Sequence, residues 1–300
     1  MSFQQITIFG TSADISLLSD IFFELGALST TIEDEFANTN KEQPIFNEPT
    51  LNSSSNITLW EHSKLTILFD DIVDILPIIK QANAVFESTF EYTITKINDQ
   101  NWVALTQSQF HPIKISEKLY IVPSWHKPPN PKAINIILDP GLAFGTGTHP
   151  TTFMCLKWIS QHANKYTSML DYGCGSGILA VSGKKMGISD VYGIDIDPQA
   201  IESSTYNAKN NQVSVSWYLA QNNEINTIKC DLVVANILSI PLKTLAPLLA
   251  NHTHHTLILS GILDEQYEEL KTIYSAWFDV VKRDTLDGWV LIECNKPHAK

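Results

Sequence analysis

The 300-residue sequence predicts an α/β protein, a doubly wound parallel sheet preceded by a smaller α+β domain. Three observations carry this reading. β-rich and helical stretches alternate from residue 132 onward, the pattern of a parallel sheet with helices on both faces. Residues 1–97 instead follow the order β-α-β-β-α-β. Between them lies a connector, residues 98–131, which ends in the stiff link Lys127-Pro128-Pro129-Asn130-Pro131.

The N-terminal elements follow in order. Gln4 to Phe9 reads as a strand. Asp14 to Leu25 carries Leu17, Leu18, Ile21, Phe22 and Leu25 at helical spacing and stops at Gly26. Leu28 to Asp34 is β-rich, and residues 38–56 are loop-like with Asn, Ser and Pro. Thr58 to Phe69 predicts a strand with a break near His62, and Ile72 to Ala84 a short helix containing Pro77. Phe90 to Ile97 alternates Tyr92, Ile94 and Lys96 against Thr93, Thr95 and Ile97. This is the split βαβ, or ferredoxin-like, arrangement.

Composition excludes several classes. Charged residues are 17% and apolar residues 44%, which rules out disorder and charge-laced coiled coils. The longest apolar stretch, Leu65 to Ile79, is broken by Asp70, Asp71 and Asp74, short of the roughly 18 residues of a membrane span. The first residues show no basic segment ahead of an apolar block, so no secretory signal is expected. Cys155, Cys174, Cys230 and Cys294 are scattered without a Cys-x-x-Cys pair, as expected in a reducing cytoplasm. The net charge is −12, and residues 1–97, with 4 basic and 14 acidic groups, hold −10 of it. Arg283 is the single arginine. Phosphate backbones are held by Lys/Arg clusters, so stable nucleic-acid binding is not expected. The acidic N-terminal part fits a basic protein or peptide partner and equally an acidic surface that only keeps the domain soluble, since charge asymmetry alone names no partner.

Four segments carry chemistry. Leu170-Asp171-Tyr172-Gly173-Cys174-Gly175-Ser176-Gly177 ends a strand and opens a helix from Ile178 to about Met186. Its glycines let the chain turn and a ligand approach the backbone, and the helix start offers free N–H groups. The next strand, Val191 to Ile194, ends at Asp195, 22 residues past Gly173, where an acid can take both ribose hydroxyls. Asp197-Pro198 then reads as a helix cap with proline in the first turn. The glycine spacing, Gly173-x-Gly175-x-Gly177, departs from the dinucleotide fingerprint, whose third position here is Ile178. It resembles the first motif of class I S-adenosylmethionine (AdoMet) methyltransferases. The strand Asp231 to Asn236 ends in a polar amide followed by Ile237 and Leu238. The run Leu138 to Thr152 joins a glycine-rich loop containing Phe144 to a helix opened by Pro150, with Thr151 and Thr152 in its first turn.

The run from Leu138 to Thr152, Asp171 to Gly177, Gly193 to Pro198 and Ala235 to Leu238 together resemble the PrmA family, over essentially the whole chain. Its members methylate the eleventh protein of the large ribosomal subunit. The resemblance implies a class I, Rossmann-like methyltransferase domain over residues 132–300 and a ferredoxin-like substrate-recognition domain over residues 1–97. It implies AdoMet as cofactor, and lysine side chains and an N-terminal amine as acceptors. It places Thr152, Gly173, Asp195 and Asn236 at the cofactor, Asn236 also at the transferring methyl group, and Phe144 in a loop that closes near it. The family tends to carry a second tryptophan four residues after Trp102, where this chain has Thr106. The cofactor motifs by themselves leave the acceptor open, and another protein or a small amine would satisfy them equally. His252, His254 and His255 have metal-like spacing but read as a solvated loop, because no further ligands lie close in sequence. His149 reads as either a base or a loop hydrogen-bonding group. No metal is expected.

Overall fold

The computed structural model describes residues 2–37, 39, 41–42, 60–86, 89–97, 110–139 and 147–297. It divides into two compact units, Met1–Leu105 and Thr106–Lys300.

In the first unit, strands β1 (Phe3–Thr11), β2 (Ser29–Asp34), β3 (His62–Asp70) and β4 (Tyr92–Ile97) form one sheet in the order β2-β3-β1-β4. Every neighbouring pair is antiparallel. With helices α1 (Ser12–Glu24) and α2 (Ile75–Phe86), this is the ferredoxin-like topology. Alternation along β1 and β3 sends Ile6, Ile8, Leu65, Ile67 and Phe69 to one face. There they pack on Ile15, Leu18 and Phe22 of α1 and Ile79 and Ala82 of α2. Thr11 caps α1 by accepting from the Asp14 N–H. The second helix begins three residues later than its apolar pattern predicts. Asp70 and Asp74 accept from the Ile72 and Leu76 N–H groups and hold a turn first, which leaves Pro77 harmless near the helix start. Thr58 and Leu59 lie outside the described residues.

The second unit is built on a seven-stranded sheet of β8 (Ser168–Tyr172), β9 (Asp190–Asp195), β10 (Ser216–Leu219), β11 (Cys230–Asn236), β12 (Thr253–Leu263), β13 (Asp279–Leu286) and β14 (Trp289–Asn295). Their order is β10-β9-β8-β11-β12-β14-β13. The sheet is doubly wound and mostly parallel, as the sequence pattern predicts, and the structure adds one reversed strand, since β14 runs antiparallel to both β12 and β13. Asp287 and Gly288 explain the reversal. Both have positive φ, 50° and 79°, as a two-residue type I′ hairpin requires, and Leu286 pairs directly with Trp289. Helices α3 (Pro150–His162), α4 (Ile178–Lys185), α5 (Pro198–Asn210), α6 (Ser239–His252) and α7 (Tyr267–Tyr274) cover the faces. The core contains Leu170, Val233, Val234, Leu257 and Ile258, all fully buried.

The connector also needs correction. Residues 98–131 are expected to be a link, but β5 (Ile113–Ser116) and β6 (Leu119–Val122) fall within them and pair with β7 (Ile134–Ile137) as a three-stranded sheet. Leu119 and Ile121 join the same core cluster as α3 and α4. The Asn211 side chain ties this sheet to α5 by bonding both the N–H and the carbonyl of Ile137, at 2.8 and 2.7 Å.

Among the described residues no helix is long and apolar enough to cross a membrane, and no group of three His, Cys, Asp or Glu is placed to hold a metal ion. His252 is not in a solvated loop. It ends α6 fully buried, with Nδ1 2.6 Å from the Ile228 carbonyl oxygen. His254 and His255 are exposed at the start of β12.

Candidate functional site

The chain leaves β8 toward β9 and β10, then returns to place β11 on the other side of β8. Connections depart in opposite directions at this point, so a crevice opens above the C-terminal strand ends. A cleft of about 310 Å³ lies there. Thr152, Gly173, Asp195 and Asn236 all line it. These are the four residues the sequence singles out, brought together from α3 and the ends of β8, β9 and β11.

Each is held by its own local chemistry. Gly173 follows β8 with φ 79°, and its N–H donates to the Ile194 carbonyl at 2.8 Å, pinning the turn to β9. Gly177 caps α4 in the left-handed region, φ 75°. A Cβ there would lie 2.7 Å from both Ser204 and Trp217, so only glycine permits this packing. Asn207 donates to the Ser176 carbonyl at 2.8 Å and ties the same turn to α5. Asp195 accepts from the Gly175 N–H at 2.9 Å and the Asp197 N–H at 3.0 Å. A carboxylate has about four lone-pair sites, so capacity remains for two hydroxyl donors.

On the opposite side, His149 caps α3. Its Nδ1 lies 2.7 Å from the Thr151 hydroxyl, and its ring meets Trp289 edge-to-face at 5.0 Å. Burial lowers its pKa. This contact is a loop hydrogen bond of the kind the sequence allows for His149. Thr152 is 1% exposed, and its hydroxyl accepts from the Asn236 side-chain amide at 3.2 Å. The Asn236 carbonyl oxygen, Oδ1, is buried without a partner. Asn236 does not cap the following helix, whose cap is Leu238 with no side-chain bond. Asp171, beneath the turn, accepts from the Ala180 N–H at 3.1 Å. Burial pushes its carboxyl up to about 7; the Ala180 N–H opposes the rise, and the nearby Asp195 charge adds to it. Burial also raises the Cys174 thiol, which suits a packing residue better than a nucleophile.

The sequence does not single out the apolar walls. Ile196, Ala220, Ile237, Pro241 and Leu245 complete the cleft. Ile196 is 73% exposed beside Asp195, and Ile237 directly follows Asn236. Adjacency to a motif was the only available signal, since the walls meet through folding alone. Phe144, the rest of its loop from Pro140 to Thr146, Trp102 and Thr106 lie outside the described residues.

The cleft suits AdoMet by three criteria. Its rim carries an acid at a strand tip, its floor is glycine backbone, and a buried acceptor oxygen, Asn236 Oδ1, lacks a partner within the protein. The family model described as Ribosomal protein L11 methyltransferase (PrmA) matches residues 2–297. The ribosomal protein L11 methyltransferase of Methylobacillus flagellatus is 47% identical over 295 residues, covering 97% of this chain and 98% of the relative. That of Chromobacterium violaceum is 47% identical over 292 residues, 96% of each chain. A solved ribosomal protein L11 methylase from Lactobacillus delbrueckii subsp. bulgaricus superposes with a TM-score of 0.57 at 31% identity, covering 63% of this chain and 100% of that one. Agreement of this extent, across both compact units, means that the chain belongs to the ribosomal protein L11 methyltransferase (PrmA) family.

Proposed function

We propose that this chain transfers methyl groups from AdoMet to lysine side-chain and N-terminal amines of ribosomal protein L11. The observation that carries the site assignment is the unpartnered Asn236 oxygen in a cleft that also holds Gly173, Asp195 and Thr152. Asp195 would hold the ribose hydroxyls, the Gly173–Gly175 backbone would let the cofactor approach closely, and Ile196 and Ala220 would offer apolar surface to its base. Bound there, AdoMet supplies a methyl group activated on a positive sulfonium.

The protein must then supply a neutral amine, correctly aimed. Deprotonating lysine at pH 7 costs roughly 4.6 kcal/mol, and an α-amino group only about 1 kcal/mol. An apolar cleft disfavours ammonium and lowers both pKa values. Asn236 Oδ1 accepts one amine N–H and leaves the nitrogen lone pair free to face the methyl group. Thr152 holds the other end of that amide and fixes its orientation. An amide suits the task because it carries no charge that would favour ammonium.

Residues 1–97 form the substrate-recognition domain in this reading, supported by their separate fold and their share of the negative charge. The enzyme works in the cytoplasm and binds nucleic acid only weakly. In support, its single arginine is engaged internally, forking onto Glu293 with both contacts at 2.9 Å. The test is transfer of labelled methyl from AdoMet to purified ribosomal protein L11, beside an unrelated protein and a small amine. Label on L11 lysines and its N-terminus is expected. Equal labelling of the small amine would favour the broader reading of an amine methyltransferase without a protein specificity.

A further inference from the structure

Ile237, the residue after Asn236, is approached closely by two glycines, Gly173 in the turn after β8 and Gly261 in β12. A Cβ added to Gly173 would lie 2.4 Å from Ile237 Cγ2. A Cβ added to Gly261 would lie 2.4, 2.8 and 3.0 Å from the Ile237 carbonyl oxygen, carbonyl carbon and amide nitrogen. Both glycines have positive φ, 79° and 86°. Gly261 sits where the β12–β14 register shifts, between Leu259 and Ile262. The neighbouring Ser260 pairs with Asn236.

We propose that Gly261 and Gly173 are positioning residues that clamp Ile237 and so fix the Asn236 amide. The proposal rests on the role given to Asn236 above. A buried carbonyl with no partner gains by turning toward any donor, so its backbone must be held. Thr152 fixes the amide end, and the clamp fixes the chain end. The two grips differ in kind. Gly261 meets backbone, which cannot rotate away. Gly173 meets one side-chain methyl, and it belongs to the turn that floors the cleft, so cofactor binding and amide aim share one contact.

The test uses the full-length enzyme, calorimetric AdoMet binding and single-turnover methylation of ribosomal protein L11 at saturation. Gly187→Ala is the control for left-handed strain alone, since Gly187 has φ 105° and nothing within 4 Å of its added Cβ. Gly261→Ala is expected to bind AdoMet within about threefold of the control but to transfer methyl about tenfold or more slowly. A Gly261→Ala enzyme as fast as the control overturns the proposal. If that variant does not fold, a second comparison decides. Gly173→Ala and Ile237→Ala each weaken AdoMet binding, and the double variant loses clearly less than the two single losses combined, because the Ile237 Cβ that remains is 3.9 Å from the new methyl. Losses that simply add in the double variant overturn the clamp. A wild-type enzyme that fails to bind AdoMet or to methylate L11 overturns the activity reading instead.

Discussion

Asn236 and Asp195 line one cleft, yet their chemistry differs because one is neutral and the other charged. Asp195→Ala removes a charged acceptor worth about 1.5–3 kcal/mol, so AdoMet affinity should fall roughly tenfold or more; an unchanged calorimetric Kd refutes the ribose role. Asn236→Asp places a carboxylate beside the amine, which favours ammonium and raises its pKa. Single-turnover rates at pH 7 should drop, and the midpoint of the pH–rate curve should move upward. A curve that keeps the wild-type midpoint rules out the neutral-amide argument. Asp171 makes a pH prediction of a different kind. Its folded pKa of about 7 lies above the ordinary aspartate value, so its stabilising contribution is full below about pH 4 and is lost as pH rises through 7. Asp171→Asn should therefore out-stabilise wild type at pH 8 by roughly 2–4 kcal/mol and show no such gain at pH 4. Urea unfolding at both pH values checks this, and equal differences at the two would count against it.

Elements around the cleft are set by pairs of large and absent side chains. Trp217 on β10 lies over Gly193 of β9, where an added Cβ would be 2.1 Å from the indole ring. Gly193→Ala should destabilise by about 1–3 kcal/mol through overpacking, with Trp217→Leu restoring part of it. Thermal unfolding of the two single variants and the double one measures the recovery, and strict additivity would show that the contact does not matter. The Asp287-Gly288 hairpin was legible in principle, because Asp-Gly between β-rich runs is a strong hairpin signal. The helix–strand alternation upstream masked it. The start of α2 was less legible, because two aspartates competed to hold the turn before it.

For the whole molecule, the three-stranded sheet changes where the chain can be cut. The sequence places the methyltransferase domain after residue 131. Removal of everything before Lys127 would strip Leu119 and Ile121, 0% and 2% exposed, from a core shared with α3 and α4. A protein starting at Phe110 should retain AdoMet binding, whereas one starting at Lys127 should be markedly less stable. If residues 1–97 recognise the substrate, the longer fragment should methylate L11 poorly, because nothing then concentrates the acceptor near the cleft. A Phe110 fragment as active as the full chain would remove the recognition role. Salt tests the electrostatic part separately, since raising it should weaken L11 capture more than AdoMet binding if the acidic domain docks a basic partner.

The sequence by itself determined what local rules encode. Asp197-Pro198 caps α5 as read, Gly26 follows α1, and the glycine spacing at Gly173, Gly175 and Gly177 marks the turn that floors the cleft. These signals act within a few residues, where sterics and hydrogen bonding allow few solutions. Only the tertiary structure decided that Thr152 would meet Asn236 across 84 positions, that Ile196 and Ala220 would share a wall, and that residues 113–122 would join the second unit. It also turned the last strand around and placed Gly261 against Ile237. Such contacts depend on which strands become neighbours, and that is fixed by burial of the whole apolar surface rather than by any one segment.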